Sequence, residues 1–219
     1  KWAEGNALRD VPRFAADAAT WASVTGLSMC LPAALVLLDS KANRHSLHAL
    51  VGALESDRAL DGLGLRLPAN EARLTQCIEE LLCAGTRPVV GVSFATLQAP
   101  RVRQLMLRRV RTAPPGREQL APLWIAGGPH PTAAPEETLR MGFNAVVLGE
   151  GEATLLDLLR QVAAAGDWTD VPALAVHGPG GAIRSTEPRT PIELAAFPPF
   201  PPVRRRVVGP IEISRGCPF

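Results

Sequence analysis

The chain lacks three things that would narrow its function at once: an excess of charge of one sign, paired cysteines and a long apolar run. Its 23 basic and 21 acidic residues leave a net charge of +2, too near balance for the electrostatic footprint that holds nucleic acid. Lysine is confined to Lys1 and Lys41, so the basic residues are almost all arginine, a bias of composition rather than a phosphate-binding cluster. The four cysteines, Cys30, Cys77, Cys83 and Cys217, are scattered without a paired spacing. A chain this rich in apolar sequence needs no disulfide framework, and a reducing, cytoplasmic setting is expected. The longest apolar stretch, Leu31 to Leu38, contains Pro32 and is about half of what a membrane-spanning helix needs. It also lies too far from a basic start to be a signal peptide. Neither nucleic acid nor a membrane is expected as a partner.

What is present is a globular composition: 219 residues, 47% hydrophobic and 20% charged, enough to bury a sizeable core. The length suits one large domain with an appendage or a piece of something longer. The start at Lys1 and the Gly216-Cys217-Pro218-Phe219 ending favour the piece. Residues 1–32 read as a lead-in, with a short Ala-rich helix between Arg13 and Ser23.

From Ala33 onward, short β-branched or Leu-rich runs alternate with amphipathic stretches, the pattern of a parallel sheet flanked by helices. Strands are expected over Ala34 to Leu38, Leu63 to Leu67, Pro88 to Phe94, Leu123 to Ala126 and Ala145 to Leu148. The third is continuously apolar, as a strand buried on both faces should be. Between them, Ser46 caps a helix carrying Leu47, Leu50, Val51 and Leu54, and Asn70 caps one carrying Leu74, Ile78, Leu81 and Leu82 that stops at Gly85. An arginine-rich helix with a solvated basic face spans about Val102 to Val110. A fourth helix starts at Thr132 or Ala133 and runs through Leu139, and a fifth, after Glu152, carries Leu155, Leu156, Leu158, Leu159 and Val162. Five such units make a doubly wound α/β domain, flavodoxin-like or Rossmann-like, with a five-stranded parallel sheet over residues 33–166. Residues 167–209 follow as a hairpin (Ala173 to Val176, a turn at Gly178 to Gly181, Ala182 to Ser185) and a Pro-rich surface linker. Residues 210–219 begin a further domain with a strand at Ile211 to Ser214.

In open α/β sheets, ligands bind outside the carboxyl ends of the strands. Here those ends carry small or hydroxylic residues: Ser93 and Thr96 after the third strand, Gly127 and Gly128 after the fourth, Gly149, Glu150, Gly151 and Glu152 after the fifth. Glycine lets backbone approach a ligand closely, and a hydroxyl bonds it without charge, which suits a large, flat, neutral cofactor. Each signal also has a local reading, as a tight turn or, for Glu150 and Glu152, as favourable charge at a helix N-terminus. The two glutamates speak against a phosphate there. A dinucleotide-binding glycine turn would follow the first strand, where Asp39-Ser40-Lys41-Ala42-Asn43 stands instead. His45, His48 and His177 read as surface or capping residues, and Cys30, Cys77 and Cys83 as buried small hydrophobes.

Taken together, Gly91-Val-Ser93-Phe-Ala-Thr96, Ile125-Ala-Gly127-Gly128-Pro-His130-Pro-Thr132 and Gly142-Phe-Asn-Ala-Val-Val-Leu-Gly149-Glu150-Gly151-Glu152-Ala-Thr154 closely resemble the cobalamin-binding domain of cobalamin-dependent radical S-adenosylmethionine enzymes. The resemblance covers roughly residues 33–219 and ends at Ile213-Ser-Arg-Gly216-Cys217-Pro-Phe, which looks like the entry to that family's three-cysteine loop. It implies that Ser93, Thr96, Gly127, Gly128, His130 and the loop from Gly149 to Glu152 surround cobalamin. It also implies that Cys217 is one thiolate of a 4Fe-4S cluster that binds S-adenosylmethionine, in a barrel of which residues 210–219 are the start. Where methionine-synthase-like domains carry an Asp-x-His-x-x-Gly string, this chain has Lys41 at the histidine position and Arg44 at the glycine position. The implied state is base-off cobalamin without a histidine ligand, its lower face left to water, to nothing, or to Asn43 or Arg44. The activity implied for the whole enzyme is transfer of a methyl from methylcobalamin to an unreactive carbon of a small-molecule or peptide substrate, the chain by itself being inactive. A non-catalytic cobalamin-binding or sensing module, and a flavodoxin-like domain binding flavin or nothing, remain as alternatives.

Overall fold

A computed structural model describes residues 32–40 and 43–198. The expected Ala-rich helix, the strand at Ile211 to Ser214, Cys30, Lys41 and Cys217 lie outside these residues.

The apolar runs form β1 (Ala33–Leu37), β2 (Gly64–Arg66), β3 (Arg87–Ser93), β4 (Leu123–Gly127) and β5 (Ala145–Val147), all paired in parallel, while β6 (Leu174–His177) and β7 (Ile183–Ser185) continue the same sheet antiparallel. The order is β2-β1-β3-β4-β5-β6-β7. The expected hairpin therefore adds two strands to the expected five, and by pairing with β5 it covers what would otherwise be a bare edge.

The helices are α1 (Arg44–Ser56), α2 (Glu71–Cys83), α3 (Ala99–Arg108), α4 (Pro129–Ala133), α5 (Pro135–Arg140) and α6 (Glu152–Ala163). α1 starts at Arg44 behind Asn43, ahead of the expected Ser46 cap. α2 starts as expected, the Asn70 carboxamide accepting from the Arg73 N–H at 2.9 Å, and Gly85 ends it at φ +73°, a conformation glycine adopts freely. The expected fourth helix is broken into α4 and α5 at Ala134 (φ −135°, ψ 61°), because the ring of Pro135 keeps the preceding residue out of the α region.

Right-handed crossovers place α1 and α6 on one face and α2, α3 and α5 on the other, and each face has its own core. Leu47, Val51, Leu155, Leu158 and Leu159 pack on Leu35, Val89 and Leu123. Across the sheet, Leu74, Ile78, Met106, Leu139 and Phe143 pack on Val36, Val90 and Val146. Burying each such side chain contributes roughly 1.5–3 kcal/mol. The basic face of α3 is solvent-exposed at Arg101, Arg103 and Arg108, as expected, with surface ion pairs from Arg101 to Glu71 at 2.9 Å and from Arg103 to Glu137 at 2.8 Å, while the half-buried Arg109 after the helix donates to the Gly142 carbonyl at 2.8 Å. Strand order reverses direction between β1 and β3, the switch point at which the carboxyl ends of an α/β sheet open a crevice.

Candidate functional site

At that crevice, the strand ends and α1 enclose a cleft of about 470 Å3, within the range of small-molecule and cofactor sites. Ser93, Gly127, Gly128 and the run Gly149 to Glu152, predicted on separate loops, line this single cleft. Its inner wall is aliphatic, with Leu37, Leu50, Ile125, Val147 and Leu155. The sheet sits close to this wall at Gly91, where a Cβ would meet Leu37 Cδ2 at 2.5 Å.

The loops are fixed to one another by backbone and hydroxyl bonds. The Phe94 N–H donates to the Gly127 carbonyl at 3.1 Å, the His130 N–H to the Phe94 carbonyl at 3.3 Å, and the Gly149 N–H to Thr132 Oγ1 at 3.1 Å. Gly128, at φ +97°, is wedged so that a Cβ would lie 2.9 Å from Ser93 Oγ and 3.0 Å from the Phe94 carbonyl oxygen. A Cβ on Gly149 would meet nothing within 4 Å, and one on Gly127 only Val147 Cβ at 3.9 Å, so both leave open space beside the cleft.

The other predicted residues stand beside the cleft rather than in its wall. Asn43 is buried and its carboxamide is fully used: Oδ1 accepts from the Ser40 N–H at 2.9 Å and Oγ at 2.8 Å, and Nδ2 donates to the carbonyls of Leu38 and Ser93 at 3.1 Å each. It ties the end of β1 to the end of β3 across the switch point. Arg44 opens α1 with its guanidinium 3.7 Å from the buried Asp39 carboxylate. His130 is buried against the Phe94 ring at 5.3 Å, with Nδ1 3.3 Å from Thr96 Oγ1.

Sequence reasoning missed the contribution of α1. His45 and His48 both line the cleft, their rings edge to face at 6.4 Å. His48 is buried, not a surface residue. The signal was available, since position 48 stands three and four residues before the buried Val51 and Gly52 and so on the helix's inner stripe. His45 and His177 are exposed, as expected. Glu150 is not a helix cap, because Gly151 precedes α6; instead its Oε2 accepts from the Ile192 N–H at 2.5 Å.

Cys83 is exposed, not a buried hydrophobe, because it ends α2, and Cys77 is half-buried. Burial, then Glu80, push the Cys77 thiol up, against Arg66 and Arg73. Among the described residues no group of three or more His, Cys, Asp or Glu is placed to hold a metal ion, and no helix is long and apolar enough to cross a membrane. The cleft thus offers aliphatic surface, closely approaching backbone and a few polar rim groups, an arrangement suited to holding and shielding a ligand.

Residues 65–159 match the family model of the B12 binding domain. The match begins in β2 and so leaves out β1 and α1. No curated protein sequence matches the chain. Among solved structures, the chain is similar to the cobalamin-dependent S-adenosylmethionine radical enzyme OxsB with aqua-cobalamin and S-adenosylmethionine bound, at 16% identity and a TM-score of 0.52 over 73% of this chain and 22% of that one. It is also similar to the radical S-adenosylmethionine methyltransferase TsrM from Kitasatospora setae with tryptophan and a S-adenosylmethionine analogue bound, at 20% identity and a TM-score of 0.51 over 69% of this chain and 30% of that one. The chain therefore spans less than a third of either enzyme, with which it shares a fold.

Proposed function

We propose that the cleft binds cobalamin in the base-off form and that the chain is the cobalamin-binding part of a cobalamin-dependent radical S-adenosylmethionine methyltransferase acting on a small-molecule or peptide substrate. One observation carries the reading: in a chain matching the B12 binding domain over residues 65–159, Ser93, Gly127, Gly128 and Gly149 to Glu152 converge on one ligand-sized cleft at the strand ends. The residues fit the group. The largely aliphatic cleft would suit the nucleotide tail, and Gly127 and Gly149, with open space at their Cβ positions, would suit close approach of the corrin. Cobalt bound there supplies a carrier for the transferred methyl group.

The chain's own residues hold and orient the ligand. Asn43 ties the β1 and β3 ends together, Ser93 presents a hydroxyl at the edge, and the aliphatic wall excludes water. With Lys41 in the histidine position and the Asn43 carboxamide engaged within the chain, neither residue would supply cobalt with a histidine-type ligand. Cys217 is proposed as one thiolate of the 4Fe-4S cluster that binds S-adenosylmethionine.

Incubating the purified chain with hydroxocobalamin and separating free ligand by gel filtration tests the reading. The expected result is a red protein with one corrinoid per chain and, in the reduced Co(II) state, an electron paramagnetic resonance spectrum without nitrogen splitting. Failure to retain corrinoid overturns the proposal. A nitrogen splitting overturns only the ligand assignment, and a His45→Ala variant then shows whether α1 supplies the imidazole. The strand order of the five parallel strands is also that of flavin-binding flavodoxin-like domains, and a yellow, flavin-retaining protein would establish that second reading instead.

A further inference from the structure

We infer that Glu150 latches the segment after β7 to the rim of the cleft, so that a ligand in the cleft and the docked segment strengthen one another. The inference rests on the cobalamin reading above and adds to it a route from the bound ligand to the rest of the chain. Two cavities meet at the carboxyl end of β5: the cleft, and a smaller one of about 290 Å3 between Leu148, Gly149 and Glu150 on one side and residues 189–192 on the other. They share Gly149 and Glu150, so this short piece of loop is the wall between them. Glycines flank Glu150 on both sides, with Gly149 at φ +73°, and leave its backbone free to adjust. Glu150 Oε2 accepts from the Ile192 N–H at 2.5 Å.

The segment is anchored before this bond and beyond it. Before it, Arg189 Nε donates to Thr154 Oγ1 at 3.0 Å and the Arg189 guanidinium pairs with Asp157 of α6. Beyond it, the partly buried Phe197 packs against the same core that lends Leu37, Ile125, Val147 and Leu155 to the cleft wall. Between the anchors the chain bridges the smaller cavity, where the Glu150 bond holds it. A ligand filling the cleft removes water from the other side of the Glu150 wall. A charge-assisted hydrogen bond strengthens as the dielectric around it falls, so an occupied cleft holds Ile192 more tightly than an empty one. Such coupling is reciprocal: the docked segment raises ligand affinity by the factor by which ligand favours docking. The net worth of a single hydrogen bond corresponds to a factor of about 2 to 10, which sets the size of the coupling. Ligand loading thereby steadies residues 190–198, from which the sequence runs on to Cys217.

Limited proteolysis of the full chain with and without hydroxocobalamin, read by mass spectrometry at residues 190–198, tests the latch alongside equilibrium dialysis of the ligand. In the parent, saturating hydroxocobalamin should slow cleavage there by about 2- to 10-fold and leave the hairpin turn at residues 178–181 unchanged. Ile192→Pro removes the donor while leaving every residue of the cleft in place. It should abolish the slowing and weaken hydroxocobalamin binding by the same factor. Glu150→Ala should abolish the slowing as well, whereas Glu150→Gln, which keeps an acceptor, should retain it in part. Parent cleavage unchanged by bound ligand, or an Ile192→Pro chain that binds hydroxocobalamin as tightly as the parent, overturns the inference while leaving cobalamin binding intact. If the parent retains no corrinoid, the functional reading itself fails and the inference with it.

Discussion

Two adjacent glycines of the cleft differ in what a side chain would do. Gly127 lies at the end of β4 with an ordinary backbone and room for a Cβ, whereas Gly128 combines φ +97° with contacts of 2.9 to 3.1 Å to Ser93 and Phe94. A Gly127→Val variant should keep its melting temperature within a degree or two and lose corrinoid affinity by about 10- to 100-fold, because its methyl groups occupy ligand space. Gly128→Ala should instead destabilise the fold by about 1–3 kcal/mol, which for a domain of this size lowers Tm by roughly 2–4 °C per kcal/mol. Thermal melts and binding titrations on the same preparations separate the two. An intact affinity in Gly127→Val would remove that position from the site. This distinction was not legible in the sequence, where the two residues form one Gly-Gly pair; it depends on Ser93 and Phe94, some 34 residues earlier in the chain, which only the folded sheet brings beneath Gly128. His48 was similarly misread, since its identity argued for the surface while its place on the α1 stripe argued for burial.

Among the elements, the alternation of strand and helix was legible because each parallel strand is a continuous apolar run and each helix carries one apolar stripe. Less legible was the route of the chain after β7, which no periodicity encodes. β7 delivers residues 186–192 back across the functional edge, where specific polar groups hold them. The Ala173 N–H donates to the Glu187 carbonyl at 2.7 Å, Arg189 Nε donates to Thr154 Oγ1 at 3.0 Å, and the Arg189 guanidinium pairs with Asp157. Asp157 also pairs with Arg160, which reaches Asp57 beyond α1 at 2.7 Å, so α6 links the chain segment to the α1 side of the cleft. The Glu150 carboxylate then holds Ile192. Truncating Arg189→Ala should cost about 1–2 kcal/mol, the range for a partly exposed charge-assisted pair, and raise proteolytic cleavage within residues 187–198 by about 5- to 30-fold. Glu150→Gln keeps an acceptor for the Ile192 N–H and should shift stability by less than about 1 kcal/mol. Limited proteolysis of both variants checks the ranking; an Arg189→Ala segment as resistant as the parent's would show that the pairing with α6 does not hold it.

Across the whole molecule, the two faces of the sheet are packed unequally, and that asymmetry should govern how the domain responds to its ligand. On the α2 face, the helix is capped by Asn70 and its inner residues Leu74 and Ile78 are buried directly against strands. On the other face, α1 begins without a side-chain cap bond to its own amides, its residues 44–46 are exposed, and its residues 45–50 line the cleft, with Leu47 alone among them packed in the core. Backbone hydrogen bonds with few apolar contacts beneath them open most readily. In the ligand-free chain, the amides of residues 47–50 should therefore exchange with solvent faster than those of residues 74–82, although both lie inside helices. Filling the cleft supplies the missing packing. At a ligand concentration about 100 times Kd, the linkage gain of about 2.7 kcal/mol corresponds to slowing of up to about 100-fold in the segments that must open to release it. Hydrogen exchange with and without hydroxocobalamin should show that protection concentrated in α1 and in residues 149–152, with β6 and β7 little changed because they lie beyond the cleft. Equal protection of both faces, or protection confined to the hairpin, would mean that the cleft between α1 and the strand ends is not where the ligand sits.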